Sequence, residues 1–374
     1  MAINVLMMVS WYSSYDGTMK AGNFHSIQAA ELNKHCNCAI YYPYDRSISD
    51  AYTRRVENGV ITYRSGYKLE KKIRNRYFML TAMKKIIKDF HPDIIHGNVA
   101  TESGRFAVML GQIFHIPVMI TEHSAVEASG VTSFPHYYYA KRVYKYSRYN
   151  ACVSDHLTSE LSKIFPKYTF HTVYNGIQDV KMPDVSNVNK YRVDGCVNAC
   201  IVASFYDKDI KGMQYLMPAV KKLHDEGTGI YLHVIGWGEF LQEYEQQAER
   251  EGMNAYIRFY GECLHDRVFE IDSEMDFTIS ASIFESFGCA VAEGMMLGKP
   301  CVATKSGGTE SIINEDNGLL VEKESTESLY EGIKKMCEIY DRYDSRLISK
   351  QAHDKFSIDV ITKKYLEIYN SILT

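Results

Sequence analysis

The stretch from Ser280 to Ile313, SASIFESFGCAVAEGMMLGKPCVATKSGGTESII, decides how the rest of the chain is read. Glu285 and Glu293 enclose seven residues, Phe287-Gly288 lies between them, and Gly307-Gly308-Thr309-Glu310 closes the segment after an apolar run from Pro300 to Thr304. Ile279 to Ile283 is apolar with interspersed serines, and Val291 to Leu297 has a small, apolar helical face that stops at Gly298-Lys299-Pro300. The order is strand end, acidic turn, helix, strand, glycine loop. A turn that opens a helix directly after a strand leaves free backbone N–H groups at the helix start, where the partial positive charge favours a phosphate. Phe287-Gly288 is therefore a candidate anion site. The two carboxylates have a use beside it. Eight residues of helix advance at most about 12 Å, so one carboxylate can meet a sugar and the other a ribose about one diphosphate away, each accepting paired hydroxyls. Two solvated glutamates on a surface helix are the plain alternative for the spacing taken alone.

Outward from this segment, 374 residues with 46% hydrophobic and 24% charged side chains make an ordinary globular chain of two or three domains. The formal charge of −4 is unevenly spread: residues 1–180 carry 21 Lys+Arg against 14 Asp+Glu, and 181–374 carry 21 against 32. Two halves of +7 and −11 suit separate domains with different partners, and the basic half is compatible with an anionic lipid surface. Nine cysteines show only Cys36-x-Cys38 and Cys196-x3-Cys200 as close pairs, which favours buried reduced thiols over a metal site. The first residues, Ala2 to Val9, lack a basic leader and predict a core strand, and no apolar run approaches the ~20 residues needed to span a bilayer. A cytoplasmic protein follows, with membrane association confined to peripheral contact.

The whole Ser280–Ile313 segment resembles the signature of the family 4 glycosyltransferases of GT-B architecture. That resemblance implies an α/β fold of two Rossmann-like domains facing across a cleft: an acceptor-side domain over 1–180, a nucleotide-sugar domain over 181–355, and a last helix, 356–374, returning to the first domain. It implies retention of anomeric configuration without a bound metal or other cofactor, the donor being a nucleotide-diphosphate sugar; the sequence does not reveal the base, and UDP is taken over GDP as a guess. Glu285 would then contact the donor sugar, Glu293 the ribose, and Phe287-Gly288 with Lys211 the diphosphate. A cation there offsets charge developing on the leaving group.

Other parts of the chain fit that scheme unevenly. After the first strand, Gly17 and Gly22 lie in a loop before a helix through Leu32, without the spacing of a dinucleotide fingerprint. The resemblance implies that Gly17 touches donor phosphates or acceptor. The strands ending at His96 and in Thr121-Glu122-His123-Ser124 both place a histidine where open α/β sheets bind ligands, and His123 resembles the family's cleft histidine on the acceptor side. Ala199 to Ala203 restarts a core strand, followed by Ser204 and Lys211-Gly212. The family's usual arginine near Ser204 is missing, with Lys208 as its stand-in. Asp207-x-Asp209 has the spacing of a divalent-metal motif, but its place before Lys211-Gly212 fits a metal-free loop better. The glycine turn at Gly236 is the one the family sets next to the nucleotide.

In the first half, Leu69, Ile73, Tyr77, Leu80, Met83 and Ile87 recur at helical spacing between Tyr67 and Lys88, with lysines and arginines on the other faces. A basic amphipathic helix is predicted, either with a solvated charged face or in contact with anionic lipid or a lipid-linked acceptor. Tyr137 to Tyr149 repeats the interfacial mix of tyrosine, lysine and arginine, and no motif supports nucleic acid as its partner. The function expected is transfer of a hexose-type sugar to a glycan or lipid-linked hydroxyl in surface polysaccharide assembly. A non-hydrolysing nucleotide-sugar epimerase and a non-catalytic sugar-nucleotide binder are the rivals.

Overall fold

The computed structural model describes residues 2–16, 22–179, 190–206 and 209–374; the stretch from Asp179 to Asp194, which is polar, holds Pro183, lacks periodicity and so reads from sequence as an interdomain linker, lies largely outside them. The chain forms two compact units, Met1–Gly176 with Ile358–Thr374, and Ile177–Ser357. Both are α/β sheets of mainly parallel strands with helical crossovers.

The first unit contains β1 (Asn4–Met8), β2 (Asn37–Asp45), β3 (Thr53–Glu57), β4 (Val60–Gly66), β5 (Ile94–Asn98), β6 (Val118–Glu122), β7 (Tyr149–Cys152) and β8 (His171–Thr172), in the order β3-β4-β2-β1-β5-β6-β7-β8. Val5 to Met8 of β1 and all of β5 are buried, as strands covered on both faces must be. Among the described residues only β3 and β4 pair antiparallel. Their two-residue turn is Asn58-Gly59, both at positive φ, the conformation that a twisted hairpin demands and these residues tolerate. The edge strand β3 exposes Arg54 and Arg55 and so blunts pairing with other chains. The last helix, Ile358–Leu373, packs on the helix Asn23–Leu32 of this same unit, burying Tyr365 and Tyr369.

The second unit contains β9 (Val197–Ser204), β10 (Ile230–Trp237), β11 (Ile257–Phe259), β12 (Phe277–Ser280), β13 (Cys301–Thr304) and β14 (Gly318–Val321), all parallel in the order β11-β10-β9-β12-β13-β14. In each sheet the first strand of the unit has neighbours from both directions of winding: β1 lies between β2 and β5, and β9 between β10 and β12. The crevice at the carboxyl ends of such a reversal is where open α/β sheets bind ligands.

One expectation holds only in part, at Met83. The basic helix runs from Lys72 to Phe90, and its buried face is Asn75, Met79, Ala82, Met83 and Ile86. Leu69 before it and Ile73 and Tyr77 within it, expected on the packed stripe, are 62%, 87% and 64% exposed. The helix carries two apolar stripes, and the sheet covers the one with the methionines. No helix among the described residues is long and apolar enough to cross a membrane.

Glycine has a steric use at Gly212, which has φ +68° before the helix Met213–Asp225, where a Cβ would stand 1.9 Å from the Ala281 carbonyl oxygen. Gly212→Ala is expected to lower the melting temperature of the second unit by about 5–10 °C. Calorimetry resolving the two units checks this, and an unchanged transition would contradict it.

Candidate functional site

In the second unit the site is assembled from the loops after β9 and β12, neighbours at the strand-order reversal. Lys211 Nζ stands 2.6 Å from Glu285 Oε1, and Ser282 Oγ donates to the same oxygen at 2.9 Å. The backbone fixes the carboxylate from behind: Glu285 N donates to Ser306 O at 2.8 Å, and Gly308 N donates to Glu285 O at 2.7 Å. Glu285 is therefore in extended chain, bridged to Gly307, and not on the helix. That corrects the helical spacing expected between the two glutamates. The helix runs only from Cys289 to Met296, behind Gly288 at φ +101°. Gly308 allows the close approach, since a Cβ there would fall 2.5 Å from Phe287 N. The Phe287 side chain is buried edge-on against Phe356, 5.4 Å between centroids, so the ring serves packing. Lys211 and Glu285 each keep about a fifth of their side-chain surface exposed (21% and 19%), enough for a ligand to reach both.

Glu293 sits on the short helix, its Oε1 3.3 Å from His265 Nε2, and that hydrogen bond raises the His265 pKa. His265 opens the helix His265–Ser273 after β11 and was not expected in the site. Ser204 ends β9 in register with Trp237 of β10. Beside it, Gly236 has φ +155°, and a Cβ would meet the Ala203 carbonyl oxygen at 1.8 Å, so the turn requires glycine. Trp237 Nε1 donates to Tyr206 Oη at 2.9 Å, leaving two partly exposed aromatic rings next to that turn. Lys208 and Gly17 fall outside the described residues, as does Asp207 of the Asp-x-Asp pattern.

In the first unit His123 follows β6 and is buried, its Nε2 2.7 Å from Asn98 Oδ1. Its ring lies 5.2 Å from Phe24 and 5.4 Å from His25. His96 is buried with Nδ1 2.8 Å from Tyr369 Oη and Nε2 2.7 Å from Thr121 Oγ1. His25, which sequence reading passed over inside its helix, is buried with neither ring nitrogen hydrogen-bonded among the described residues. Burial disfavours the charged ring in all three: His123 is lowered to about 4, His96 to about 3, and His25 well below its ordinary value. Beside them Glu122 accepts from Ala100 N at 2.8 Å and Tyr144 Oη at 3.0 Å, yet burial raises its pKa to about 7. The chain reaches this arrangement through Val99 at φ +58°, a strained conformation for a β-branched residue at the end of β5.

These groups give the units different acid responses. Below pH 6.5 the unfolded chain protonates His25, His96 and His123 while the folded unit keeps them neutral, so acid withdraws stability. Glu122 acts oppositely, because its raised folded pKa makes the folded state take up a proton first as pH falls through 7. Glu102, also raised by burial, acts in the same sense as Glu122, but three histidines outnumber the two carboxylates, so acid withdraws stability from this unit between pH 6 and 4.5. In the second unit His233, lowered to about 4, is countered by Asp272, raised to about 6, both by burial. The first unit is expected to melt earlier as pH falls from 6.5 to 4.5 while the second shifts little. Calorimetry at a series of pH values tests this, and parallel shifts of both transitions would contradict it.

The arrangement in the second unit can hold an anion against Lys211 and the helix start, with Glu285 placed to accept hydroxyl protons. Residues 197–338 match the family model "Glycosyl transferases group 1", and residues 29–180 match "Glycosyltransferase Family 4". The chain is 24% identical to an uncharacterized glycosyltransferase of Methanocaldococcus jannaschii, over 89% of this chain and 97% of that one. It is 23% identical to the putative teichuronic acid biosynthesis glycosyltransferase TuaC of Bacillus subtilis, over 87% and 88%. Among solved structures, Anabaena HepE in complex with UDP superposes with a TM-score of 0.78 at 15% identity, covering 99% of this chain and all (100%) of that one. Likeness at that identity carries the fold.

Proposed function

Since this chain belongs to the family 4 glycosyltransferases of GT-B fold, we propose that it moves a hexose from a UDP-sugar to a hydroxyl of a glycan or lipid-linked acceptor in surface polysaccharide assembly. The reaction retains anomeric configuration and uses no bound metal, the cationic task falling to Lys211 and the helix start behind Gly288. The observation that carries this reading is the Lys211–Glu285 pair at the carboxyl ends of β9 and β12, pinned by the Gly307-Gly308 loop. On donor binding the diphosphate takes over Lys211, and Glu285 is released to the sugar hydroxyls. Glu293 binds ribose hydroxyls, with His265 orienting its carboxylate, and His123 belongs to the acceptor side. The UDP held by HepE and the polysaccharide named for TuaC support the choice of donor and pathway.

A thermal-shift panel of nucleotide sugars tests the donor. The true donor at 100 times its dissociation constant adds about 2.7 kcal/mol, and no shift with any UDP-sugar would refute UDP as the nucleotide.

The exposed Leu69, Ile73 and Tyr77, set among Lys68, Lys71, Lys72 and Arg76, favour a peripheral seat on an anionic cytoplasmic membrane face. Ile73→Ser is expected to reduce co-sedimentation with anionic vesicles several-fold, zwitterionic vesicles binding neither protein. Equal sedimentation of variant and parent would remove this face from membrane contact.

A further inference from the structure

A pocket of about 810 Å³ opens in the first unit at the carboxyl ends of β1, β2 and β5. Its walls include the aromatic rings of Trp11, Tyr44 and Tyr67, and Arg46, Arg105 and His136 bring polar groups to it. Three of the lining residues, Tyr44, Arg105 and His136, each carry a buried polar atom (Oη, Nε and Nδ1) with no hydrogen-bond partner among the described residues. Buried polar atoms are seldom left unmatched, and three around one cavity mark a place where a ligand supplies the partners.

The chemistry of that ligand follows from Arg105. The same unit shows what a satisfied buried arginine looks like: Arg64 has Asp45 at 2.7 Å and Glu57 at 2.6 Å. Arg105 makes no ion pair among the described residues; rings flank its guanidinium, 4.6 Å from the Phe106 centroid and 5.4 Å from that of Tyr139, and the Glu102 carboxylate acts on it through space. Asp45 lines the pocket too, but its carboxylate is occupied by Arg64 and Ser47. Glu102 lines it without reaching ion-pair distance of Arg105. A half-buried guanidinium with no directly bonded counter-ion keeps its fork open, and a bound oxyanion fills it through a planar, two-bonded contact.

We infer that this pocket is a subsite for an oxyanion, a phosphate or carboxylate carried by the acceptor, with Arg105 as its anchor. Arg46 adds a second positive charge at the rim, and Tyr44 and His136 supply the remaining hydrogen bonds. The aromatic walls suit the apolar faces of the sugar ring that bears the anion. This rests on the glycosyltransferase reading and specifies the acceptor for it.

Calorimetric titrations on the full chain separate the two claims. UDP is titrated first; then, with UDP saturating so that the donor site is filled, glucose 1-phosphate, glucuronate, dodecyl phosphate in zwitterionic micelles, and neutral glucose are compared. At least one anionic probe is expected to bind about tenfold or more tighter than glucose. Arg105→Gln abolishes that difference and leaves UDP affinity within about twofold, while Arg105→Lys, which keeps the charge but not the fork, retains part of the difference. A soluble phosphate, a soluble carboxylate or an alkyl phosphate as the preferred probe identifies the source of the anion. If UDP binds but no anionic probe exceeds glucose, or if Arg105→Gln leaves the preference intact, the subsite is refuted. If UDP fails to bind while Arg105-dependent anion binding persists, the UDP-donor reading fails and the oxyanion site stands.

Discussion

Glu285→Gln is expected to lower kcat about 100- to 1000-fold while the protein stays folded. Glutamine keeps the shape of the side chain and can still accept from Ser282, but it removes the charge that pairs with Lys211. The pair is partly exposed, so its loss removes about 1 kcal/mol or less of stability, and the melting temperature falls by a few degrees at most. The backbone bonds to Ser306 and Gly308 do not depend on the side chain and hold the loop in place. A large loss of rate with a small loss of stability therefore isolates a chemical role. Near-full transfer by the variant would remove Glu285 from the reaction.

Lys211→Met is expected to reduce kcat/KM by a similar factor, about 100- to 1000-fold, and also to weaken UDP binding about tenfold or more. The methionine preserves the aliphatic stem and deletes the cation proposed to meet the diphosphate. It also leaves Glu285 without its cation, which adds an unfavourable charge near the nucleotide. The two substitutions share one interaction, so the double variant should lose little more than the worse single one. Rates measured on both singles and the double decide this. Additive losses would show that Lys211 and Glu285 act on separate steps, and unchanged UDP affinity in Lys211→Met would move the phosphate grip elsewhere.

Much of the architecture was legible because buried parallel strands are continuous apolar runs, as in Val5 to Met8 and Ile94-Ile95, and because Gly212 and Gly236 sit where a Cβ has no room. The Asn58-Gly59 hairpin was equally available from local chemistry and was passed over. Periodicity failed on the helix Lys72–Phe90 because it carries two apolar stripes, and only the sheet beneath decides which is covered. The spacing of Glu285 and Glu293 misled for a different reason. Gly288 at φ +101° delays the helix, so the first carboxylate lies in extended chain paired with a loop some twenty residues later. The partners that define the sites are long-range: Lys211 with Glu285, His265 with Glu293, His123 with Asn98. No local signal announces such pairs. Arg105 is the extreme case, singled out by the partners it lacks.

The most direct measurement is release of UDP from a UDP-hexose, followed together with the anomeric proton resonance of the sugar. If the donor is cleaved at the Lys211–Glu285 pair, UDP appears slowly with water as acceptor and faster with a true acceptor. The freed or transferred sugar keeps the donor's configuration when first formed, and Glu285→Gln abolishes the release. Conversion of the donor to an epimer without UDP release would contradict transferase chemistry, and tight donor binding with neither release nor transfer would make the chain a binding protein.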